Sequence, residues 1–188
     1  MKIYISGGCS NGKTETGENL VLEMADKAEK ETGVRPPVYY VATMIPKDRE
    51  DRRKIDLHRE ERKDKGFTTL EKKSYIRMLP HENPEGIYFV DSITALLENA
   101  MFDGDANVDI NGWQTVVDDV MDFMGQVESA VFVSDSVFSD GTEYDPVTES
   151  YRRNLAICDR IIASECDRVL EVTFGNVIEY KNKSGKKK

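Results

Sequence analysis

A chain of 188 residues with a formal net charge of −9 has room to bury a sizeable core. It is too acidic for a nucleic-acid surface, which needs clustered positive charge. Hydrophobic residues make up 39% and charged residues 32%, which excludes a disordered composition, and no apolar run approaches the roughly 18 residues of a membrane span.

Lys2 to Ser6 is β-rich and runs straight into glycines, which predicts a first strand ending in a tight turn. Thr14 to about Lys30 suits a helix, with Leu20, Val21, Met24 and Ala28 on one face, stopped by Gly33 and Pro36-Pro37. Val38 to Ala42 is a nearly all-apolar second strand, as expected where both faces are covered. Pro46 opens a helix through the densely charged, mixed-sign stretch Lys47 to Lys65, and Gly66 ends it. Phe67 to Leu70 predicts a short strand, and Ile87 to Val90 a buried strand ending in Asp91. A helix over Ser92 to Phe102 and a loop over Asp103 to Gly112 follow. Next comes a helix from Trp113 to about Val127, with Val116, Val117, Val120, Phe123 and Met124 as its stripe. Ala130 to Val133 is a further buried strand, and Ser134 to Tyr144 a polar loop. Asp145 and Pro146 form an N-cap and N1 pair for a helix reaching about Ser164. Arg168 to Thr173 and Val177 to Tyr180 read as an edge hairpin around Phe174-Gly175-Asn176. Strands alternating with helices predict one α/β domain, residues 1–180, with a mostly parallel sheet and helices on both faces. Residues 181–188 read as a basic, solvated tail.

The first turn carries the chemistry. Gly7-Gly8-Cys9-Ser10-Asn11-Gly12-Lys13-Thr14 fits G-x-x-x-x-G-K-[ST] between a strand and a helix. Glycines let successive N–H groups turn inward onto phosphate oxygens, and the following helix adds its positive end. Lys13 can reach the β- and γ-phosphates, and the Thr14 hydroxyl can ligate a Mg2+ that bridges them. Such a cation needs an acidic partner at another strand end. Asp91 fits, and it can also cap the helix that follows it.

His58 is the second feature. Ile55, His58, Arg59 and Arg62 share one helical face. Spacing alone fits a surface histidine. It also fits a neutral imidazole, held neutral by Arg59 and Arg62, that attacks an α-phosphate. His81, between Pro80 and Glu82, reads as an exposed bystander. Cys9, Cys158 and Cys166 fit neither a zinc site nor a disulfide framework, which points to a reduced compartment.

These motifs in this order resemble the bifunctional adenosylcobinamide kinase / adenosylcobinamide-phosphate guanylyltransferase family of cobalamin biosynthesis. The likeness rests on Gly7-Gly8 to Thr14, on Tyr40-Val41-Ala42-Thr43, and on Lys54-Ile55-x-x-His58-Arg59-x-x-Arg62. It continues through Phe67-x-Thr69-x-Glu71 and Val90-Asp91-Ser92-Ile93-Thr94, with Asn99 beyond. The resemblance implies a recombinase-like P-loop NTPase fold, ATP and/or GTP as substrates, Mg2+, and a cobinamide-like partner. It implies two transfers: phosphorylation of the aminopropanol hydroxyl, then passage of GMP through His58. By the same resemblance Lys13 joins His58 as catalytic, Arg59, Arg62 and Glu71 join the loop in nucleotide binding, and Thr14 and Asp91 hold the metal. Also implied are a homo-oligomer, a trimer in the family, and a cytoplasmic setting without membrane or nucleic-acid partners. The chain departs from the family's pattern at Ser10 and Asn11 in the loop, at Ser134 to Phe138, and at Ala156 to Arg160. Two other readings remain at this point: a P-loop kinase of another small alcohol, and a nucleotide-binding module without catalysis.

Overall fold

A computed structural model describes residues 1–46, 62–81, 85–102, 108–138 and 140–183. Its strands are β1 (Lys2–Gly7), β2 (Val38–Ala42), β3 (Thr68–Glu71), β4 (Ile87–Asp91), β5 (Ser129–Asp135), β6 (Arg168–Thr173) and β7 (Asn176–Asn182). Four long helices are described: α1 (Lys13–Thr32), α2 (Ile93–Met101), α3 (Gly112–Gln126) and α4 (Pro146–Glu165). The seven strands form one sheet in the order β3-β2-β4-β5-β1-β6-β7. All neighbours are parallel except β6 and β7, which form the expected antiparallel edge hairpin. This is the mostly parallel α/β architecture of a P-loop NTPase-like fold.

The central strands are apolar on both sides because both sides are covered. On one face Ile3, Ile5, Phe89, Val131 and Val133 pack with Val21, Met24 and Ala25 of α1. On the other, Tyr4, Tyr88, Val90 and Phe132 pack under α2, α3 and α4, through Leu97, Phe123, Leu155 and Ile162 among others. The parallel register aligns the carboxyl ends of the inner strands. Gly7 pairs with Asp135, and Asp91 with Val133, so all three ends meet at one edge. In open α/β sheets this edge is where ligands bind.

Local chemistry sets the element ends. Gly33 takes φ 76° and donates its N–H to the Glu29 carbonyl at 2.8 Å, closing α1. Asp145 caps α4 by accepting from the N–H groups of Val147 and Thr148. The hairpin turn has positive φ at both Phe174 (49°) and Gly175 (74°), the pair that matches the twist of the flanking strands.

The structure differs from the sequence reading in three places. β5 runs on through Ser134 and Asp135, where a polar loop was expected, because β1 pairs with it as far as Gly7. Residues Ile76–His81 form an unforeseen 3-10 turn. The buried Asp119 carboxylate of α3 holds it by accepting from the N–H groups of Ile76 (2.8 Å) and Arg77 (3.1 Å). His81 closes that turn and is exposed, as expected. Finally, β7 continues to Asn182, so Lys181 is strand and not tail. Its ammonium donates to the carbonyls of Ala163 and Ser164, capping the end of α4.

Gly17 shows how closely α1 is seated. A Cβ built there would lie 2.2 Å from the Phe89 ring. Gly17→Ala should therefore destabilise the fold by about 2 kcal/mol through overpacking, despite alanine's better helix propensity. Urea denaturation of the two proteins measures the difference, and an unchanged or raised midpoint would refute the tight seating.

Candidate functional site

The loop Gly7 to Thr14 lies at the shared strand edge. Gly7 must be glycine, since a Cβ there would meet the Val172 carbonyl oxygen of β6 at 2.3 Å. Ser10 and Gly12 take positive φ (56° and 88°) on either side of Asn11. Such alternation turns successive N–H groups toward one concave side, the geometry of an anion nest. Gly12 caps α1, whose first residues are Lys13 and Thr14, so the helix's positive end points into the loop. Cys9 and Ser10 are exposed.

Lys13 is only 7% exposed and is held at two points. Its ammonium donates to the Gly8 carbonyl at 2.6 Å and pairs with the Asp135 carboxylate at 2.8 Å. Thr14 lies beside Asp91, its hydroxyl donating to Oδ2 at 3.3 Å. The Tyr40 hydroxyl donates to the same oxygen. Burial pushes the Asp91 carboxyl above its ordinary range, while these two donors pull it back. A hydroxyl beside a carboxylate is the hard-oxygen chemistry that suits Mg2+, which takes one or two protein oxygens and completes its shell with phosphates and water. Among the described residues no group of three or more His, Cys, Asp or Glu forms a metal cage.

Arg62 is buried, and its guanidinium carbon lies 3.7 Å above the centre of the Tyr40 ring. It comes from residues 62–64, which are helical. Lys65 then pairs with the buried Glu18 of α1 at 2.5 Å, docking this segment against the helix that follows the loop. His58 and Arg59 lie outside the described residues. Glu71 ends β3 on the same edge, opposite Ala42, which in turn sits opposite Asp91. The structure thus brings Gly7 to Thr14, Asp91 and Arg62 together, with Glu71 two strands from Asp91.

Three contributors were not singled out by sequence reasoning. Tyr40 was noted as part of a strand end, but its hydroxyl on Asp91 was not foreseen. Thr43, fully buried, accepts the Ser92 N–H at 2.6 Å and donates to the Ser92 carbonyl, while Asn99 donates to the Thr43 carbonyl at 2.8 Å. These bonds fix the backbone beyond Asp91. Asp135 was read as loop. Its position one polar residue beyond an apolar strand, close to the pattern that singled out Asp91, was the available signal. Behind Asp135, Ser134 donates to Asp159 of α4 at 2.8 Å and contacts the Thr94 hydroxyl, and Thr94 accepts the Asp135 N–H.

A family model described as cobinamide kinase / cobinamide phosphate guanyltransferase matches residues 3–180, including the segments that depart from the family's usual pattern. No curated protein matches the chain. Among solved structures, one from a structural study of a Pyrococcus horikoshii OT3 protein is similar at 11% identity and a TM-score of 0.49, over 96% of this chain and 86% of that one.

Burial pushes the Asp159 carboxyl up to about 6, against the pull of the neighbouring Tyr4 and Ser134 hydroxyls. A carboxyl raised in the folded state weakens folding when ionised. The penalty is full above about pH 6 and fades as pH falls toward the ordinary carboxylate range near 4. Asp159→Asn should therefore stabilise the chain by about 2 kcal/mol at pH 8, with the gain shrinking toward pH 4. Melting curves of both proteins across that range give the answer, and a pH-independent difference would count against it.

Proposed function

The chain belongs to the cobinamide kinase / cobinamide phosphate guanyltransferase family, and from that premise we propose that it performs both transfers at the loop Gly7 to Thr14. In the first, a nucleoside triphosphate phosphorylates the hydroxyl of a cobinamide. In the second, GTP gives GMP to His58 with release of pyrophosphate, and the GMP passes to the cobinamide phosphate. The observation that carries this reading is the meeting of Lys13, Thr14 and Asp91 at one strand edge, with Arg62 brought to Asp91 through Tyr40.

Each residue has a task in this reading. The loop N–H groups and the α1 terminus hold the phosphates, and Lys13 neutralises charge on the β- and γ-phosphates. Thr14 and Asp91 would hold Mg2+, which supplies charge neutralisation between those phosphates. Arg62, with Arg59, steadies the phosphates for attack by a neutral His58, and Glu71 contributes to nucleotide binding from the end of β3. GTP as the guanylyl donor follows from the family. No helix among the described residues is long and apolar enough to cross a membrane. A cytoplasmic setting, one domain over residues 1–180 and assembly as a homo-oligomer complete the proposal.

The histidine intermediate is the most distinctive part. GTP labelled at the α-phosphate should leave a label on the protein that is stable in base and lost in acid, as a phosphoramidate is. The same incubation with label at the γ-phosphate should leave none. His58→Ala should abolish the adduct. An adduct that survives this substitution, or none on the unaltered protein, would overturn the guanylyl-transfer half.

A further inference from the structure

The carboxylate that holds Lys13 has no part in the nucleotide site as drawn above. Asp135 ends β5, between the strand carrying the loop and the strand carrying Asp91. One of its oxygens pairs with Lys13. Among the described residues the other oxygen accepts no hydrogen bond, and the side chain is about one-third exposed (36%). Its backbone is fixed from both sides. Its N–H donates to Thr94, and the next N–H, that of Ser136, donates to the Gly7 carbonyl at 2.8 Å. Asp135 therefore stands on a rigid crest directly against the phosphate loop.

Beginning at the next residue, Ser136, a cleft of about 490 Å³ is lined by Ser136, Asp140, Tyr144, Tyr151 and Arg152 among others. Its one cation among the described residues is already matched. Arg152 pairs with Glu149 at 2.7 Å and with Asp140 at 3.4 Å, and it lies 5.0 Å from the centre of the Tyr144 ring. A cleft with hydroxyls, aromatic faces and a neutralised guanidinium suits a molecule whose polar groups are hydroxyls and amides better than a phosphate. That is the chemistry of the alcohol in the first transfer, before it carries phosphate.

We propose that this cleft holds the acceptor alcohol and that Asp135 takes the proton from its hydroxyl during phosphoryl transfer. This rests on the phosphorylation reading given above. The acceptor's O–H bond breaks and the proton goes to the free oxygen of Asp135. The acceptor oxygen bonds to the γ-phosphorus. The bond from that phosphorus to the β–γ bridging oxygen breaks, and its electron pair leaves with the nucleoside diphosphate. Asp135 returns the proton to water once the products depart. Lys13 links the two halves, since a triphosphate in the loop offers it new anionic partners and so releases the carboxylate to act. The neighbouring carboxylates are engaged elsewhere. Asp91 accepts from Thr14 and Tyr40, and Asp140 from Tyr144 and the Thr142 N–H.

The test uses the full chain with adenosylcobinamide and ATP or GTP, and measures kcat, KM and the affinity for a β,γ-imido triphosphate. Asp135→Asn should lower kcat for phosphorylation on the order of 100-fold. Affinity for the imido analogue should hold or tighten, because Lys13 loses a competing partner. Asp135→Glu should recover part of the rate. Tyr144→Ala should raise the acceptor's KM and leave nucleotide affinity alone. An active wild-type protein with an equally active Asp135→Asn variant overturns the inference alone. So does a variant whose rate loss is matched by lost nucleotide affinity, since that describes a support for Lys13 only. A wild-type protein that phosphorylates no cobinamide overturns the functional reading, and this inference with it.

Discussion

Lys13 is drawn out of solvent onto the Asp135 carboxylate, and the sheet makes this contact possible. β1 sits between β5 and β6, in a register that puts Gly7 opposite Asp135 on one side and Val172 on the other. Gly7 has no room for a side chain against the Val172 carbonyl, and β1 ends there and gives way to the loop. The turn delivers Lys13 to the first position of α1, and α1 in turn is pressed onto Phe89 at Gly17. A buried ammonium without a partner would cost several kcal/mol, so the carboxylate at the end of β5 stabilises Lys13 where it stands. In the proposed reading, phosphates in the loop take over that role, and the pair becomes a contact that substrate binding exchanges.

A second set of contacts ties the same edge to the segment after β2. Asp91 is withdrawn from water, which favours its protonated form. The hydroxyls of Tyr40 and Thr14 favour the ionised form that a cation needs. Tyr40 also carries the Arg62 guanidinium on its ring, a contact of about 1 kcal/mol or more when desolvated. Phe67 and Phe89 meet the same ring edge-on, leaving it little freedom. One phenol thus joins the Asp91 carboxylate to an arginine of the charged stretch. If both transfers occur at this edge, this is the physical link between them.

Much of this was legible in the sequence, for identifiable reasons. β1, β2, β4 and β5 are short apolar runs bounded by polar or Gly-rich segments, and burial on both faces leaves that mark. The loop stood out because a phosphate-binding turn needs particular residues at fixed spacing. Asp91 could be read because a charged residue directly after a buried strand is costly unless it has a task. Asp135 presents a similar pattern but was read as loop, because Ser134 before it is polar. Ser134 is tolerated in the strand only because Asp159 on α4 accepts its hydroxyl, a partner 25 residues away that no local pattern reveals. The 3-10 turn at Ile76–His81 was hidden similarly, since it depends on a carboxylate from α3. Lys181 looked like the start of a basic tail because composition cannot show that its ammonium meets the last carbonyls of α4. The roles assigned to His58 and Arg59 rest on spacing and family likeness, as those residues lie outside the described ones.

Calorimetric titration of the wild-type chain and of Lys13→Ala with a non-hydrolysable GTP analogue and Mg2+ tests most directly whether Gly7 to Thr14 holds a triphosphate. The wild-type protein should bind one nucleotide per chain. Loss of a charge-assisted contact to two phosphates should weaken the variant on the order of 100-fold. Equal affinity in the two proteins would contradict a phosphate-binding role for the loop, and with it both transfers assigned to this edge.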